Sequence, residues 1–303
     1  MAGHLLSSVS MSDSFHLRVG EARARFSVQG AECRQWQIGS RDLLWSGDES
    51  IWPAIAPVLF PTCGWSREGR IRLGDKLYPM PVHGFAAQST FVGEQLDDGT
   101  VCFTSLADAR TRAHYPFEFH LALTYRLEPF ALSVTFEISN AGSGTMPYAV
   151  GLHPGFALDW SAGAHRFVFD EAEQPQVPVI APGGLFSARQ RPVSLVGRTL
   201  DLTPELFAAE ALCFLDIGSR AFALEAPDGL LRIEAPDFPH LVLWNHMGGP
   251  FLAIESWTGM GDKEGFEGSF FERPSMIHLK PGAARQHHVR YAWESLGRAA
   301  ASA

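Results

Sequence analysis

Two neighbouring stretches of the sequence alternate apolar and polar residues with a period of two. In residues 117–127 and again in residues 130–139, every second side chain is a Phe, Leu, Tyr, Val or Ile. Successive side chains of a β-strand point to opposite faces, so this pattern predicts two strands that each bury one face. The dipeptide Glu128-Pro129 between them suits a tight hairpin-like connection. The chain is therefore expected to fold around antiparallel strands.

Short apolar runs continue this pattern through the rest of the chain. The 29 glycines and 20 prolines are scattered, which is typical of many short strands joined by turns. Further strands are predicted at residues 101–106, 164–169, 195–202, 212–217, 221–226, 230–235 and 241–245, and a final hairpin at residues 276–280 and 287–293. One short helix is expected within residues 205–211. The prediction is an all-β protein with a single antiparallel domain over residues 15–296, preceded by a disordered extension at 1–14 and followed by a tail at 297–303.

The charge and cysteine content argue against several kinds of partner. A net charge of −9 argues against a nucleic-acid or anionic-membrane surface. No run approaches the roughly 18 consecutive apolar residues that a membrane helix needs. The N-terminus lacks the pattern of a secretory signal, with either Met1 or Met11 as the start. The four cysteines are too widely spaced for a zinc ribbon and too few for a disulfide framework, so a cytoplasmic protein is expected.

Three ionisable residues stand in surroundings that suit acid–base chemistry. His153 is followed directly by Pro154 and Gly155, which turn the chain, and an imidazole with an unperturbed pKa of about 6.5 exchanges protons near neutral pH. Glu255 lies in the apolar stretch 251–257, where burial raises the pKa of a carboxyl group towards that of a general base at neutral pH. His83 precedes a glycine in a similar turn. The plainer interpretations are a structural histidine at a turn and a carboxylate on the outer face of an alternating strand.

Aromatic and basic residues near these segments point to two kinds of ligand. Trp65, Trp244 and Trp257 offer indole planes for the apolar face of a sugar ring, whereas the plainer interpretation is that they are core residues. A small basic cluster suits either a phosphate group or a solvated hairpin. Its members are Arg67, Arg70 and Arg72.

Several short motifs follow one another along nearly the whole chain. They are Gly30-Ala31-Glu32, Leu44-Trp45-Ser46-Gly47-Asp48, Trp52, residues 57–61, Gly64, Leu77-Tyr78-Pro79-Met80, His83-Gly84-Phe85, residues 151–156, Leu243-Trp244, residues 251–257, Gly259, Asp262 and Pro281-Gly282. In this order and at this spacing, the sequence resembles the aldose 1-epimerase (galactose mutarotase-like) family. It is most similar to the divergent bacterial-type branch of that family.

The resemblance implies a large antiparallel β-sandwich of the galactose mutarotase type, with a sugar held in an open cleft. It implies interconversion of the α and β anomers of a free aldose, a hexose such as galactose or glucose, without a metal or an organic cofactor. In the roles that it implies, Glu255 takes the proton from the anomeric hydroxyl, His153 protonates the ring oxygen, and His83 binds and orients the sugar. General acid–base steps of this kind each contribute about 10²–10⁴ in rate.

The sugar-binding positions that the resemblance implies include departures from the family pattern. Trp65 stands where many relatives carry an arginine that contacts the sugar. Either Arg67, the nearest basic residue, replaces that arginine as a substrate-binding residue from a shifted loop, or the sugar contact has changed. Glu210 matches an acidic sugar-binding position that is usually Asp. Trp244 and Trp257 complete the expected substrate-binding residues.

Two alternative functions stay open from the sequence. The departure at Trp65 suits a non-catalytic carbohydrate-binding or regulatory protein on the same scaffold. The arginine cluster suits a sugar-phosphate epimerase that acts on a hexose 6-phosphate. In each case the expected partner is a small-molecule sugar rather than a nucleic acid or a membrane, and the protein is expected to be a monomer or a homodimer.

Overall fold

The computed structural model describes residues 13–296. The first strand begins at Ser14, which is the last residue of the predicted N-terminal extension. The rest of that extension up to residue 12, and the predicted tail at 297–303, lie outside the described residues. Within the described part, no helix has the length and apolar character needed to cross a membrane.

Short strands make up most of the described chain. Those of the first half are β1 Ser14–Val19, β2 Ala22–Ser27, β3 Cys33–Ile38, β4 Arg41–Asp42, β5 Val58–Leu59, β6 Arg70–Leu73, β7 Lys76–Pro79, β8 Val92–Asp97, β9 Thr100–Leu106, β10 Phe119–Glu128, β11 Ala131–Asn140, β12 Met146–Tyr148, β13 Gly151–Leu152 and β14 Gly155–Ala157. Those of the second half are β15 His165–Phe169, β16 Gln176–Ala181, β17 Leu185–Pro192, β18 Leu195–Val196, β19 Thr199–Leu202, β20 Leu212–Phe214, β21 Ala221–Ala226, β22 Gly229–Glu234, β23 His240–Trp244, β24 Phe251–Trp257, β25 Ile277–Leu279 and β26 Ala284–Ser295.

Helical structure in the described residues is confined to single turns. A short α-helix, α1, spans Ala109–Arg112, and 3₁₀ turns span Arg67–Gly69, Ala86–Gln88, Pro204–Phe207 and Phe270–Glu272. The helix expected within residues 205–211 is therefore a 3₁₀ turn that ends earlier. Beyond it, Glu210 leaves the helical path and its carboxylate binds the backbone N–H of Ile180 in β16.

Two large antiparallel sheets pack against each other. The larger has ten strands in the order β18-β19-β15-β21-β22-β26-β11-β10-β9-β8, and the smaller has six, β20-β23-β24-β13-β5 with β14 also paired to β24. Ring contacts join the two sheets: Phe169 lies 5.1 Å from Phe214, and Phe156 lies 5.2 Å from Tyr291, measured between ring centroids. The predicted all-β sandwich is confirmed.

The period-two stretches form the strands that they predict. β10 and β11 pair in an unbroken antiparallel register from Phe119 opposite Asn140 to Glu128 opposite Ala131. Along β10 the buried residues alternate with partly exposed ones, because one face lies on the core. The hairpin at Glu128-Pro129 is therefore confirmed.

The predicted C-terminal hairpin is wrong. β25 pairs with β12 in a small separate sheet, whereas β26 inserts between β11 and β22 in the large sheet. The apolar face of β26, with Val289, Tyr291 and Trp293 buried, needs partners on both edges and a core beneath it. A strand 12 residues long finds these only in the large sheet.

β23 and β24 of the smaller sheet are covered on both faces. On the inner face Leu241, Leu243 and Ile254 belong to the main core. On the outer face Val242 and Trp257 belong to a second, smaller apolar cluster. Because every residue of β24 is buried, a polar side chain on its outer face is also withdrawn from water.

The turn after His83 depends on a glycine. Gly84 has a φ of +79°, and a Cβ added there would lie 2.1 Å from the carbonyl oxygen of Phe60. That carbonyl accepts the backbone N–H of Phe85 at 2.9 Å, so it is held in place against the turn. Any side chain at position 84 must displace the backbone.

We expect Gly84→Ala to lower the free energy of unfolding by more than about 1 kcal/mol, since the native φ strains the new residue and its Cβ overlaps with Phe60. Urea unfolding of the purified protein measures this. Gly144→Ala is the matched control, because a Cβ at that position meets nothing within 4 Å. Equal stability of the Gly84 and Gly144 variants would contradict the prediction.

Candidate active site

The outer face of the smaller sheet forms the floor of a cleft. In the antiparallel register Glu255 of β24 lies opposite Val242 of β23, which in turn lies opposite Cys213 of β20. Trp257 follows on the same face of β24, two residues after Glu255, and its indole N–H donates to Glu255 Oε2 at 3.0 Å. Glu255 is 2% exposed. The interpretation of Glu255 as an outward, solvated residue is therefore excluded.

His153 projects into the same cleft from the link between β13 and β14. Its backbone N–H donates to the carbonyl of Pro57 at 3.0 Å, which fixes the chain at the point where Pro154 turns it. The imidazole is buried, and its Nε2 lies 3.1 Å from Glu255 Oε1. Two groups at this distance are within reach of a common proton.

His83 completes the cluster from a strained turn. Its φ is +64°, which is uncommon for a residue with a side chain. The backbone N–H of Gly64 donates to His83 Nδ1 at 3.1 Å, and the backbone N–H of His83 donates to the carbonyl of Gly64 at 3.0 Å. Because Nδ1 accepts, the neutral ring carries its hydrogen on Nε2. The ring centroid lies 5.5 Å from that of His153 and 5.5 Å from that of Trp257.

Burial shifts the proton affinities of all three groups towards their neutral forms. Burial raises the pKa of Glu255 well above its usual range, and the N–H of Trp257 opposes this only in part. Burial, together with the neighbouring His83, holds the pKa of His153 well below its usual range. Burial lowers the pKa of His83 to about 4. The state favoured by burial is a protonated carboxyl beside two neutral imidazoles, rather than a carboxylate beside a histidinium.

The cleft around this cluster is large and mostly aromatic and aliphatic. Its volume is about 660 Å³, within the range of small-molecule sites. Four of the predicted substrate-binding residues line it. They are Trp65, Trp244, Trp257 and Glu210.

Trp65 lies at the mouth of the cleft and is 47% exposed. It packs so closely on the β16–β17 turn that a Cβ at Gly184 would lie 2.0 Å from its ring. Its carbonyl accepts the N–H of Asp262, whose carboxylate forms a buried ion pair with Arg273 at 2.7 Å. Arg273 also donates to Ser66 Oγ at 2.7 Å. This ion pair holds the loop that presents Trp65 and supports His83 through Gly64.

Glu210 lines the cleft, but its carboxylate already has protein partners. Oε2 accepts the N–H of Ile180 at 2.8 Å, and Oε1 accepts from Arg191 Nε at 2.7 Å. The carboxylate therefore ties the β16–β17 hairpin to the segment that directly precedes β20. Contact between Glu210 and a sugar stays a prediction.

The structure does not bring Arg67 to the cleft. Its guanidinium donates to Glu267 at 3.0 Å and to the carbonyl of Phe266 at 3.2 Å, in a separate cavity of about 200 Å³ that Arg70 and Arg72 also line. Among the described residues, the acidic side chains that line the cleft are Glu210 and Glu255, and no lysine or arginine lines it. A sugar contact by Arg67 would require the loop to move, and it stays a prediction.

The same three residues have the ligand types of a metal site. The ligand atoms of His83, His153 and Glu255 lie within 4.8 Å of one another, which makes them the candidate metal-binding group within residues 13–296. Two imidazoles and a carboxylate suit several transition metals. The predicted chemistry without a metal or cofactor therefore stays a prediction.

Sequence analysis missed Trp52 as a cleft residue. Its indole lies 5.0 Å from the ring of His153 with an angle of 35° between the planes, and it also lines the cleft. The sequence places Trp52 about a hundred residues before His153, and it carries no local pattern that separates a site tryptophan from a core tryptophan. Only the folded chain brings the two rings together.

Comparisons with known proteins agree with this fold. The family model for aldose 1-epimerase matches residues 13–292. Protein LacX, plasmid, from Lactococcus lactis subsp. lactis is 29% identical over 256 residues, which cover 79% of this chain and 85% of that protein. A galactose mutarotase-like protein from Lactobacillus casei ATCC 334 superposes with a TM-score of 0.87 and 28% identity, over 93% of this chain and all of that one.

At lower sequence identity, the similarity to solved structures is one of fold alone. Galactose 1-epimerase from Lactobacillus acidophilus NCFM superposes with a TM-score of 0.70 at 14% identity, over 92% of this chain and 93% of that one. The fold and the cleft define a β-sandwich of the galactose mutarotase type with a cluster of two histidines and a glutamate on one sheet. The chain belongs to the aldose 1-epimerase family.

We expect the imidazole of His83 to stay neutral down to pH about 4, because protonation places a charge in a desolvated site and breaks the bond from Gly64 to Nδ1. NMR titration of the histidine ring carbons measures the midpoint, with His83→Asn to assign the signal. The pKa is lower in the folded state than in the unfolded chain, where it is about 6.5, so His83 destabilises the fold as pH falls between these values. A midpoint near 6.5 would contradict the prediction.

Proposed function

We propose that the protein interconverts the α and β anomers of a free aldose. The observation that carries the proposal is the 3.1 Å approach of His153 Nε2 to Glu255 Oε1 inside a cleft that fits a sugar. The reaction needs a proton removed from the anomeric oxygen and another delivered to the ring oxygen. Both oxygens are bonded to C1, so two proton-transfer groups in mutual reach match them.

In the proposed reaction Glu255 takes the proton of the anomeric hydroxyl while His153 gives its proton to the ring oxygen. The C1–O5 bond breaks and C1 becomes an aldehyde. Rotation about the C1–C2 bond presents the other face of the aldehyde, and the reverse transfers close the ring as the other anomer. The number of protons on the pair is the same before and after each step, so the cycle needs no other reactant.

Burial of the pair favours the product side of ring opening. After the step Glu255 is protonated and His153 is neutral, which is the distribution that desolvation stabilises in the free protein. The reaction starts from a Glu255 carboxylate and a His153 histidinium. A sugar that enters the cleft must therefore stabilise this charged pair until the two protons are transferred. His83 supports this step, because the hydrogen on its neutral Nε2 is available to a sugar oxygen near His153.

Glu255→Gln keeps the shape of the side chain and removes the base. We expect the catalysed anomer exchange to fall by at least about 10²-fold, since general-base catalysis contributes about 10²–10⁴. Polarimetry of freshly dissolved galactose or glucose measures the rate, and circular dichroism checks the fold. Glu225→Gln, at an exposed position of β21, is the matched control. An unchanged rate in the Glu255 variant would remove this residue as the base.

The rate should depend on pH in a way that reflects burial. Adding a second proton to the Glu255–His153 pair creates a buried histidinium, which desolvation opposes, so we expect the acid limb of kcat/KM to lie below about pH 6.5, the unperturbed value for histidine. Removing the shared proton leaves a buried carboxylate, so activity also falls at high pH. The apparent pKa value of each limb belongs to the Glu255–His153 pair rather than to either residue alone. An acid limb at or above pH 6.5 would contradict this account.

A non-catalytic sugar-binding protein is the second candidate function. The replacement of an expected arginine by Trp65 favours it, because an indole at the cleft mouth binds a sugar ring without contributing charge. Calorimetry with the same sugars separates the two functions. Binding without any acceleration of anomer exchange, in the presence and absence of EDTA, would support this candidate over the enzyme.

A further inference from the structure

Trp257 is buried in the floor of the cleft rather than exposed at its mouth. It is 4% exposed, whereas Trp65 is 47% exposed. Its indole N–H is bonded to Glu255 Oε2 at 3.0 Å, and its ring centroid lies 5.5 Å from that of His83 with 68° between the planes. A ring that protein atoms already cover has little surface left for a sugar. The position of Trp257 therefore differs from that of a stacking platform.

The sheet register holds this indole beside the proposed acid–base pair. Trp257 lies opposite Gly151 of β13. Continuing the same antiparallel register by two positions sets His153 beside Glu255, and the two side chains meet at 3.1 Å. A Cβ at Gly151 would lie 3.0 Å from Cδ1 of Trp257, the indole carbon next to Nε1. The glycine therefore leaves the space in which the N–H edge of the ring packs on β13.

The two oxygens of Glu255 have partners of different kinds. Oε2 accepts from the N–H of Trp257, a group that donates and cannot accept, whereas Oε1 lies next to Nε2 of His153, which can do either. The carbonyl oxygen of a carboxyl group is a better acceptor than its hydroxyl oxygen. A proton on Oε1 leaves Oε2 as the carbonyl oxygen and keeps both bonds, while a proton on Oε2 weakens the bond from Trp257. The proton of Glu255 therefore belongs on Oε1.

The same hydrogen bond acts more strongly on the carboxylate than on the acid. A hydrogen bond to a charged group contributes more than one between neutral groups. In the described part of the chain no lysine or arginine lines the cleft, so the positive end of the indole N–H dipole takes the place of a cation at Oε2. Burial raises the pKa of Glu255, and the N–H of Trp257 opposes that rise.

The titratable groups around the pair are otherwise neutral near pH 7. Burial lowers the pKa of the imidazoles and raises that of the thiols. Glu210, the other acidic residue of the cleft, is paired with Arg191. The neutral groups are His83, His153, Cys63 and Cys213, together with His240, which lies opposite Trp257 on β23.

We propose that Trp257 is a positioning residue for the anomer exchange, whose N–H holds Glu255 Oε2 and leaves Oε1 to exchange the proton. The inference rests on the proposed anomerase function and adds a residue that acts through the base. Without the N–H, the proton is no longer confined to one oxygen, and the carboxylate from which the reaction starts is less stable. This role replaces the substrate-binding role that the sequence suggests for Trp257.

An isosteric tryptophan analogue tests the proposal without opening a cavity. 3-Benzothienylalanine, introduced at position 257 alone, keeps the bicyclic ring and carries sulfur in place of the N–H. NMR of the Glu255 carboxyl carbon, identified with Glu255→Gln and recorded with EDTA present, measures the titration midpoint. We expect the midpoint to rise by about one to two pH units, because the lost bond is one to a charged group. Thermal unfolding checks that the fold is kept.

The pH profile of anomer exchange gives a second measurement on the same variant. The basic limb of kcat/KM should move up with the carboxyl midpoint, because it reports loss of the proton from the Glu255–His153 pair, while the acid limb stays in place. Near pH 7 kcat should fall by about 10–100-fold, which is the same shift expressed as a ratio. KM should stay near the wild-type value, since the buried ring offers little surface to the sugar.

The same analogue at position 244 is the matched control. Trp244 also lines the cleft, but the hydrogen bond to Glu255 Oε2 comes from Trp257. We expect the Glu255 midpoint to stay at its wild-type value in this control. An equal rise at both positions would overturn the inference, because it would show that the hydrogen bond from Trp257 is not the cause.

The outcomes separate this inference from the proposed function. A structural or sugar-stacking role for Trp257 predicts an unchanged midpoint, since the analogue keeps the shape and the aromatic face. An unchanged or lower midpoint in a protein whose wild type accelerates anomer exchange would therefore overturn the inference and leave the anomerase standing. No acceleration of galactose or glucose by the wild type would overturn the anomerase, and the role of Trp257 in it, whatever the midpoint does.

Discussion

The burial of Glu255 is the constraint on which the site depends. A carboxyl group on a strand with both faces covered loses its hydration, which costs several kcal/mol for a charge without partners. The protein supplies one indole donor from Trp257 and one imidazole from His153, and it raises the pKa of the carboxyl group. The same burial that would destabilise a structural carboxylate increases the affinity of Glu255 for a proton, which is the property that the proposed base requires.

The sandwich makes this burial possible. The larger sheet covers the inner face of β23 and β24, and loops from distant parts of the chain cover the outer face around the cleft. A buried ion pair between Asp262 and Arg273 holds the loop that carries Gly64 and Trp65. Buried ion pairs add little net stability compared with apolar packing, but breaking one is strongly destabilising. Here the pair fixes a loop next to His83, because Gly64 of that loop is hydrogen-bonded to His83.

Much of the fold could be predicted from the sequence because strands are encoded locally. The alternation in β10 and β11 specifies which face is buried, and the intervening turn specifies their pairing. The partner of β26 could not be predicted in this way. Its neighbours β11 and β22 lie far away in sequence, and only the apolar faces of the assembled sheet select them.

The candidate site was predicted in part for the same reason. His83, His153 and Glu255 could be chosen from their local surroundings and the resemblance to a family, and the structure brings them within reach of one another. Arg67 was chosen for its nearness in sequence to Trp65, yet its side chain points to Glu267. Trp52 has no local signal, because its importance lies in a ring contact with a residue that is distant in sequence.

The sequence by itself determined the antiparallel β class, which follows from periodicity and turn residues. It also indicated His83, His153 and Glu255 as candidate site residues, from their local surroundings and from the resemblance to a family. Only the tertiary structure decided that β24 is covered on both faces, that Glu255 and His153 meet at 3.1 Å, and that the cleft beside them is aromatic. Burial and proximity are properties of packed sheets, so no single stretch of the chain contains them.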